Sequence, residues 1–230
     1  MSTRHSIFGA VLVLLLLCGV ATGQQQRAGA TPTVEVEIAG VGKVQIPDLD
    51  VSDQNGRKIR FYSDLIKDKV VVISFFYTSC ANSCTIQGQT FSKLQSLLGD
   101  RLGKSVFLIT VTTDPAKDTP AQLKTWGKRY DVQDGWTLVT GKEAQMNKLL
   151  LPFTGMRAGS GMHLPSTFVG NDRTGIWTSA GGVFDPETLL NAVDFVTRDS
   201  AVNATLRQKS FHSHRASARC KSTESNEEPF

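Results

Sequence analysis

The chain has 230 residues, 40% hydrophobic and 20% charged, with 20 glycines and 8 prolines; that composition is globular and fits one domain with extra termini better than two domains. Its formal charge of +4 is spread along the chain rather than gathered in a run, so it carries no nucleic-acid footprint. Four cysteines are too few for a small scaffold built on disulfides, and the fold must be held by its core.

The first 23 residues read as a secretory signal. Arg4 and His5 give a basic start, Ile7 to Val20 is an uncharged apolar run, and Ala21-Thr22-Gly23 supplies small residues for cleavage. The run is short for a membrane span, which needs about 20 residues; an uncleaved anchor is the alternative to cleavage. The expected location is therefore outside the cytoplasm, in a periplasm or on the outer face of the cytoplasmic membrane. Cys18 leaves with the signal. Residues 24–32 are a flexible lead, residues 33–199 the folded domain, and residues 200–230 a polar tail that cannot bury enough apolar area to order itself. The tail holds Cys220, His212 and His214.

Within the domain, Val34 to Ile38 alternates apolar and polar residues as a half-exposed strand does, and Asn55-Gly56 between Val51 and Ile59 predicts a hairpin turn. Val70 to Phe76 is apolar but for Ser74 and opens with four β-branched residues, the pattern of a strand covered on both faces. Cys84, Phe91, Leu94 and Leu98 share one helical stripe that stops near Gly99, and Val106 to Val111 is a second buried strand. Thr119-Pro120-Ala121-Gln122 predicts a capped helix start with a capping box, and Thr140-Gly141-Lys142-Glu143 repeats that logic before Leu149 and Leu150. Thr167-Phe168-Val169 and Gly175-Ile176-Trp177 predict strands around a turn, and Asp185-Pro186 starts a last helix with Leu189, Leu190, Val193 and Val196 inward. Alternating strands and helices predict an α/β fold. Their order is that of a thioredoxin-like fold with an N-terminal β-hairpin extension.

Chemistry concentrates in Cys80-Ala81-Asn82-Ser83-Cys84, where a buried strand runs into a helix. Unpaired N–H groups and the positive end of a helix dipole favour thiolate over thiol there. Cys80, at the mouth, should be the more exposed, and Cys84, one turn deeper, shielded. At i and i+4 on a helix the β-carbons lie about 5–6 Å apart, whereas a disulfide wants about 3.5–4.5 Å. The spacing leans toward a metal between two sulfurs without excluding a redox-active disulfide. A pair of inert structural cysteines is the plain alternative.

His163 is the one histidine of the folded region, in Gly161-Met162-His163-Leu164-Pro165. Thioredoxin-like chains carry a cis proline before a late strand, packed on the cysteine motif. Pro165 occupies that place, which would put His163 within reach of both thiols. Two thiolates and an imidazole form a soft set suited to copper.

The chain resembles the SCO/SenC family of exported thioredoxin-like copper proteins, which serve assembly of the copper centre of cytochrome oxidase. The resemblance spans roughly Ile46 to Thr197. It is carried by Thr78-x-Cys80-x-x-x-Cys84 behind the strand, by Thr113-Asp114-Pro115-x-x-Asp118-Thr119-Pro120, and by His163 five residues before Phe168. It implies copper, as Cu(I) or Cu(II), held by Cys80, Cys84 and His163, and delivery to the Cu(A) centre of cytochrome c oxidase or to another thiol or copper protein. Asp114 and Asp118 match the family's acidic motif, to position a helix entry, touch a partner or simply cap the helix at Pro120. Ala81 and Thr85 stand where many members have proline, and the turn at Asn171 to Gly175 looks one residue longer than usual. Met162 is read as filling its loop rather than as a thioether ligand. A thiol–disulfide oxidoreductase acting through Cys80 and Cys84 is the second reading; it gives His163 no necessary part.

Overall fold

The computed structural model describes residues 31–80, 83–159, 166–181 and 185–198. The expected signal, most of the lead, the polar tail, Cys18, Cys220 and Ala81 lie outside those residues, as do Met162, His163 and Pro165. Among the described residues no helix is long and apolar enough to cross a membrane.

From Thr31 the chain opens with two hairpins. Strands β1 (Thr33–Ala39) and β2 (Gly42–Pro47) pair antiparallel, as do β3 (Asp50–Asp53) and β4 (Lys58–Arg60). The turn at Asn55-Gly56 is held by the buried Asp53 carboxylate, which accepts from the amides of Asn55 at 2.8 Å and Arg57 at 2.9 Å. A short helix, α1 (Phe61–Leu65), leads into β5 (Val70–Phe76), all seven residues of which are buried. Then come α2 (Ser83–Leu98), a 3-10 turn (Gly99–Arg101), β6 (Val106–Thr112), α3 (Pro120–Arg129), β7 (Trp136–Thr140) and α4 (Glu143–Thr154). Strands β8 (Ser166–Asn171) and β9 (Ile176–Gly181) and the helix α5 (Pro186–Thr197) complete the order.

Among the described residues, nine strands make one sheet in the order β2-β1-β9-β8-β5-β6-β7-β3-β4. β5, β6 and β7 run parallel at its centre, and β8 lies antiparallel against β5. Alternation along β5 divides the interior. Val71, Ile73 and Phe75 face a core completed by α1, α4 and the inward residues of both hairpins, such as Ile38, Ile46 and Val51. Val70, Val72 and Phe76 face a second core with Phe91 and Leu94 of α2, Leu123 and Trp126 of α3, and Leu189 and Val193 of α5. Cys84 belongs to this second core. Helices on both faces of a mixed sheet are the thioredoxin-like α/β arrangement that the sequence predicts.

Three expectations need correction. There are two N-terminal hairpins rather than one, and they sit at opposite margins of the sheet. The two helices expected in succession are separated by β7; Thr140 ends that strand, buried, and the cap position of α4 is Lys142, whose side chain makes no capping bond. At α3 Thr119 is the cap, accepting from the Gln122 amide at 3.4 Å. The reciprocal half of the box is missing, because the Gln122 side chain accepts from the Thr119 hydroxyl and the Thr119 amide goes to the Lys117 carbonyl at 3.0 Å.

Candidate functional site

β5 delivers the chain to the carboxyl end of the parallel strands, where open α/β sheets place their chemistry. Beyond Phe76, the residues Tyr77 to Cys80 form a turn closed by the Cys80 amide donating to the Tyr77 carbonyl at 3.2 Å. Cys80 precedes the first helical residue, Ser83, and so is not on the helix. The expected 5–6 Å spacing for two helical cysteines therefore does not apply. The Cys80 sulfur instead folds over the first turn of α2, accepting from the Cys84 amide at 3.4 Å and lying 3.7 Å from the Ser83 hydroxyl. That sulfur takes up one of the amides a helix start leaves without an intrahelical partner.

The two thiols differ as expected in exposure. Cys80 is half-buried and Cys84 is 0% exposed, and both are thiols rather than a disulfide. Acidity departs from expectation at Cys84. Burial, with a hydrogen bond to Cys80 adding to it, pushes its thiol up to about 12; the Tyr77 backbone and the Ser83 hydroxyl pull the other way and lose. Desolvation outweighs the helix start here. The Tyr77 phenol is raised chiefly by the negative charge a Cys80 thiolate places beside it, with burial second.

The acidic motif does not cap α3. Asp118 is 1% exposed and turns inward. Its carboxylate accepts from the Thr78 amide at 3.0 Å and from the hydroxyls of Thr78 and Thr112. Asp114 is held by its amide donating to the Thr112 hydroxyl at 3.0 Å, and its carboxylate pairs with Lys117 at 3.2 Å. The residues after β6 also reach the cysteine turn directly: the Thr113 amide and hydroxyl both donate to the Phe76 carbonyl, at 2.7 and 3.2 Å. Sequence reasoning named Asp118, and Thr113 only as the head of its motif, but missed Thr112. The signal was present in a pair of hydroxyl residues at the end of a buried strand, directly before an acidic turn.

His163 lies outside the described residues, but both residues flanking its segment are described. The Gly159 amide donates to the Thr113 carbonyl at 2.7 Å. Ser166 starts β8, whose next residue, Thr167, sits opposite Ser74 of β5. Both flanks thus stand at the sheet end that carries the cysteines. Among the described residues no three of His, Cys, Asp and Glu converge on one point. Beside the cysteine turn runs an open groove of about 400 Å³, lined by Thr78, Ala121, Gln122, Thr125, Trp126 and Arg129.

Comparison with known proteins adds three findings. A family model described as SCO1/SenC matches residues 44–162. A protein of Stutzerimonas stutzeri, provisionally named copper-binding, is 27% identical over 152 residues, covering 65% of this chain and 71% of its own; the SCO2-like protein RC0895 of Rickettsia conorii is 29% identical over 157 residues, covering 64% and 71%. The solved structure of BsSco, described as a Sco-family cytochrome c oxidase assembly protein with a disulfide switch, superposes with a TM-score of 0.54 over 74% of this chain and 98% of its own. At 21% identity that likeness speaks for the fold.

Proposed function

The chain belongs to the SCO1/SenC family, and from that premise we propose that it carries copper outside the cytoplasm and passes it to the copper subunit of cytochrome c oxidase. Cys80 and Cys84 hold the metal and His163 completes the set. The observation that carries this reading is the pair of adjacent thiols at the mouth of α2, one half-exposed and one buried. Two sulfurs set this close are a soft donor pair, which suits Cu(I) and discriminates against hard cations. Support for copper comes also from the Stutzerimonas relative's name, and for the recipient from the description of BsSco.

Copper is the cargo in this scheme, and the protein's own residues set its terms. Cys80 is the exposed sulfur through which metal enters and leaves by ligand exchange with a partner's thiol. Cys84, buried in the α2 core, gives up its proton as the metal arrives, so loading releases protons. An imidazole from His163 adds the harder nitrogen that Cu(II) requires.

Anaerobic copper titration of the reduced protein, followed by EPR after oxidation, tests this. One equivalent bound, with nitrogen superhyperfine structure that is lost in His163→Ala and thiolate-type g values and copper splitting that come from Cys80 and Cys84, is the expected result. Absence of stoichiometric uptake would remove the copper reading. The asymmetry of the two thiols favours a second reading in that event. Cys80 thiolate attacks a partner disulfide and releases one partner thiolate. Cys84, losing its proton, then attacks the mixed disulfide, releasing the second partner thiol and leaving Cys80–Cys84 oxidised. Rapid reduction of a model disulfide by protein that takes up no copper would identify this activity.

A further inference from the structure

We propose that Asp118 is a positioning residue for the Cys80 sulfur, and that the end of β6, at Thr112 and Thr113, is the shared anchor of the two segments that carry the site's ligands. The second half of this statement rests on the assignment of His163 above; the first stands on the described residues alone.

A buried carboxylate is costly unless its oxygens are satisfied. Asp118 is satisfied by three donors, and the identity of those donors is informative. None belongs to the helix that follows. One is the hydroxyl of Thr112 on β6. The other two, the amide and hydroxyl of Thr78, belong to the turn that presents Cys80. The amide donating to one carboxylate oxygen and the hydroxyl to the other fix both the backbone and the χ1 of Thr78, two residues ahead of the sulfur. Asp118 is itself held, its amide donating to the Asp114 carbonyl at 2.8 Å. The carboxylate is therefore a strut between a rigid strand and a reactive turn.

Thr113 adds the second tie. Its amide and hydroxyl hold the Phe76 carbonyl, where β5 ends and the cysteine turn begins. Its carbonyl takes the Gly159 amide, immediately before the segment that contains His163. One residue thus touches the root of the cysteine turn with its donors and the root of the histidine segment with its acceptor. Supporting groups of this kind usually govern how tightly and in what geometry a metal is held.

Thr78→Val removes the hydroxyl while leaving the backbone bond, and Thr78→Ser restores the hydroxyl without the methyl. Asp118→Asn keeps the shape and removes the charge. In the metal-free protein, the equilibrium of the Cys80–Cys84 dithiol with glutathione and the alkylation rate of Cys80 should each move by about tenfold in Thr78→Val and Asp118→Asn, and return toward wild type in Thr78→Ser. Leu149→Ala, in the core on the other face of the sheet, controls for loss of stability and should move neither. Copper-loaded samples should show altered Cu(II) EPR parameters in the same two variants. Wild-type thiol equilibria and alkylation rates in Thr78→Val would overturn the positioning role, as would failure of Thr78→Ser to differ from it. Thiol shifts with unchanged EPR parameters would retain the strut in the metal-free turn and overturn its hold on the copper geometry. A Thr113→Val protein, lacking the hydroxyl on the Phe76 carbonyl, that matched wild type in both readouts would overturn the shared anchor. The thiol readouts need no copper, so a wild-type protein that takes up none removes the copper reading while the strut is still decided.

Discussion

The sharpest consequence of the site's geometry concerns Cys84. Its thiol stands at about 12 instead of the ordinary 9.0 because the side chain is buried in the α2 core. At about pH 8 an ordinary thiol is roughly one-tenth thiolate, whereas Cys84 is about one part in 10⁴, a loss of roughly a thousandfold. A more basic thiolate is also a better nucleophile; with a Brønsted slope of about 0.4–0.5 the gain over three pH units is roughly 20-fold. The two effects oppose, and the loss wins by about 50-fold before any steric shielding is counted. Reduced, metal-free protein treated with iodoacetamide at about pH 8 and read by peptide mass spectrometry should therefore label Cys84 at least about 50 times more slowly than a small-molecule thiol of ordinary acidity. Raising the pH should accelerate Cys84 by about tenfold per unit well past the point where the reference thiol has levelled off. Labelling of Cys84 within a few-fold of the reference thiol would refute the burial argument and with it the division of labour between the two cysteines.

Three further outcomes follow from other parts of the fold. Because Cys84 must lose a proton that it holds far above neutrality, its share of Cu(I) affinity should fall about tenfold for each unit the pH is lowered across the neutral range; competition with a Cu(I) chelator at several pH values measures it, and a flat profile would contradict it. Gly170 of β8 lies opposite Trp177 of β9, and a β-carbon there would come 2.2 Å from the indole, which is itself 3% exposed and must shift to admit it. Gly170→Ala should cost about 1–3 kcal/mol or more by urea denaturation, with a wild-type midpoint as the refuting result. The Tyr62 phenol is pushed up to about 12 by burial and by its hydrogen bond to Asp172, at 3.0 Å. The folded state keeps a proton that the unfolded chain loses near 10.0, so this contribution is complete below that pH and fades as the pH rises toward about 12. Urea midpoints of wild type and Tyr62→Phe should converge over that window, and a constant difference would count against it.

Much of the framework was legible because burial leaves a pattern. The apolar run of β5, interrupted only by Ser74, the stripe of Cys84, Phe91, Leu94 and Leu98, and the Asp185-Pro186 start of α5 all appear as expected. The order of exposure at Cys80 and Cys84 was legible too. Short elements were not. β7 is only five residues long, and its last, Thr140, is a residue type that caps helices as readily as it ends strands. The role of Asp118 was hidden for a different reason. Aspartate ahead of Thr-Pro is locally a helix cap, and only the tertiary fold brings Thr78, 40 positions earlier, to its carboxylate. The step of Cys80 off the helix likewise depends on where the turn ends, which spacing alone does not reveal.

The margins of the sheet have a consequence for how the protein behaves at high concentration. Its outermost strands are β2 and β4. β4 spans three residues and opens on the exposed Lys58, while β2 shows Lys43 and Gln45 to solvent and ends at Pro47. Brevity, charge and a missing amide are the devices by which open borders are denied to a second chain. Among the described residues, the sheet's two open borders therefore offer a second copy no long, flat, greasy rim to extend.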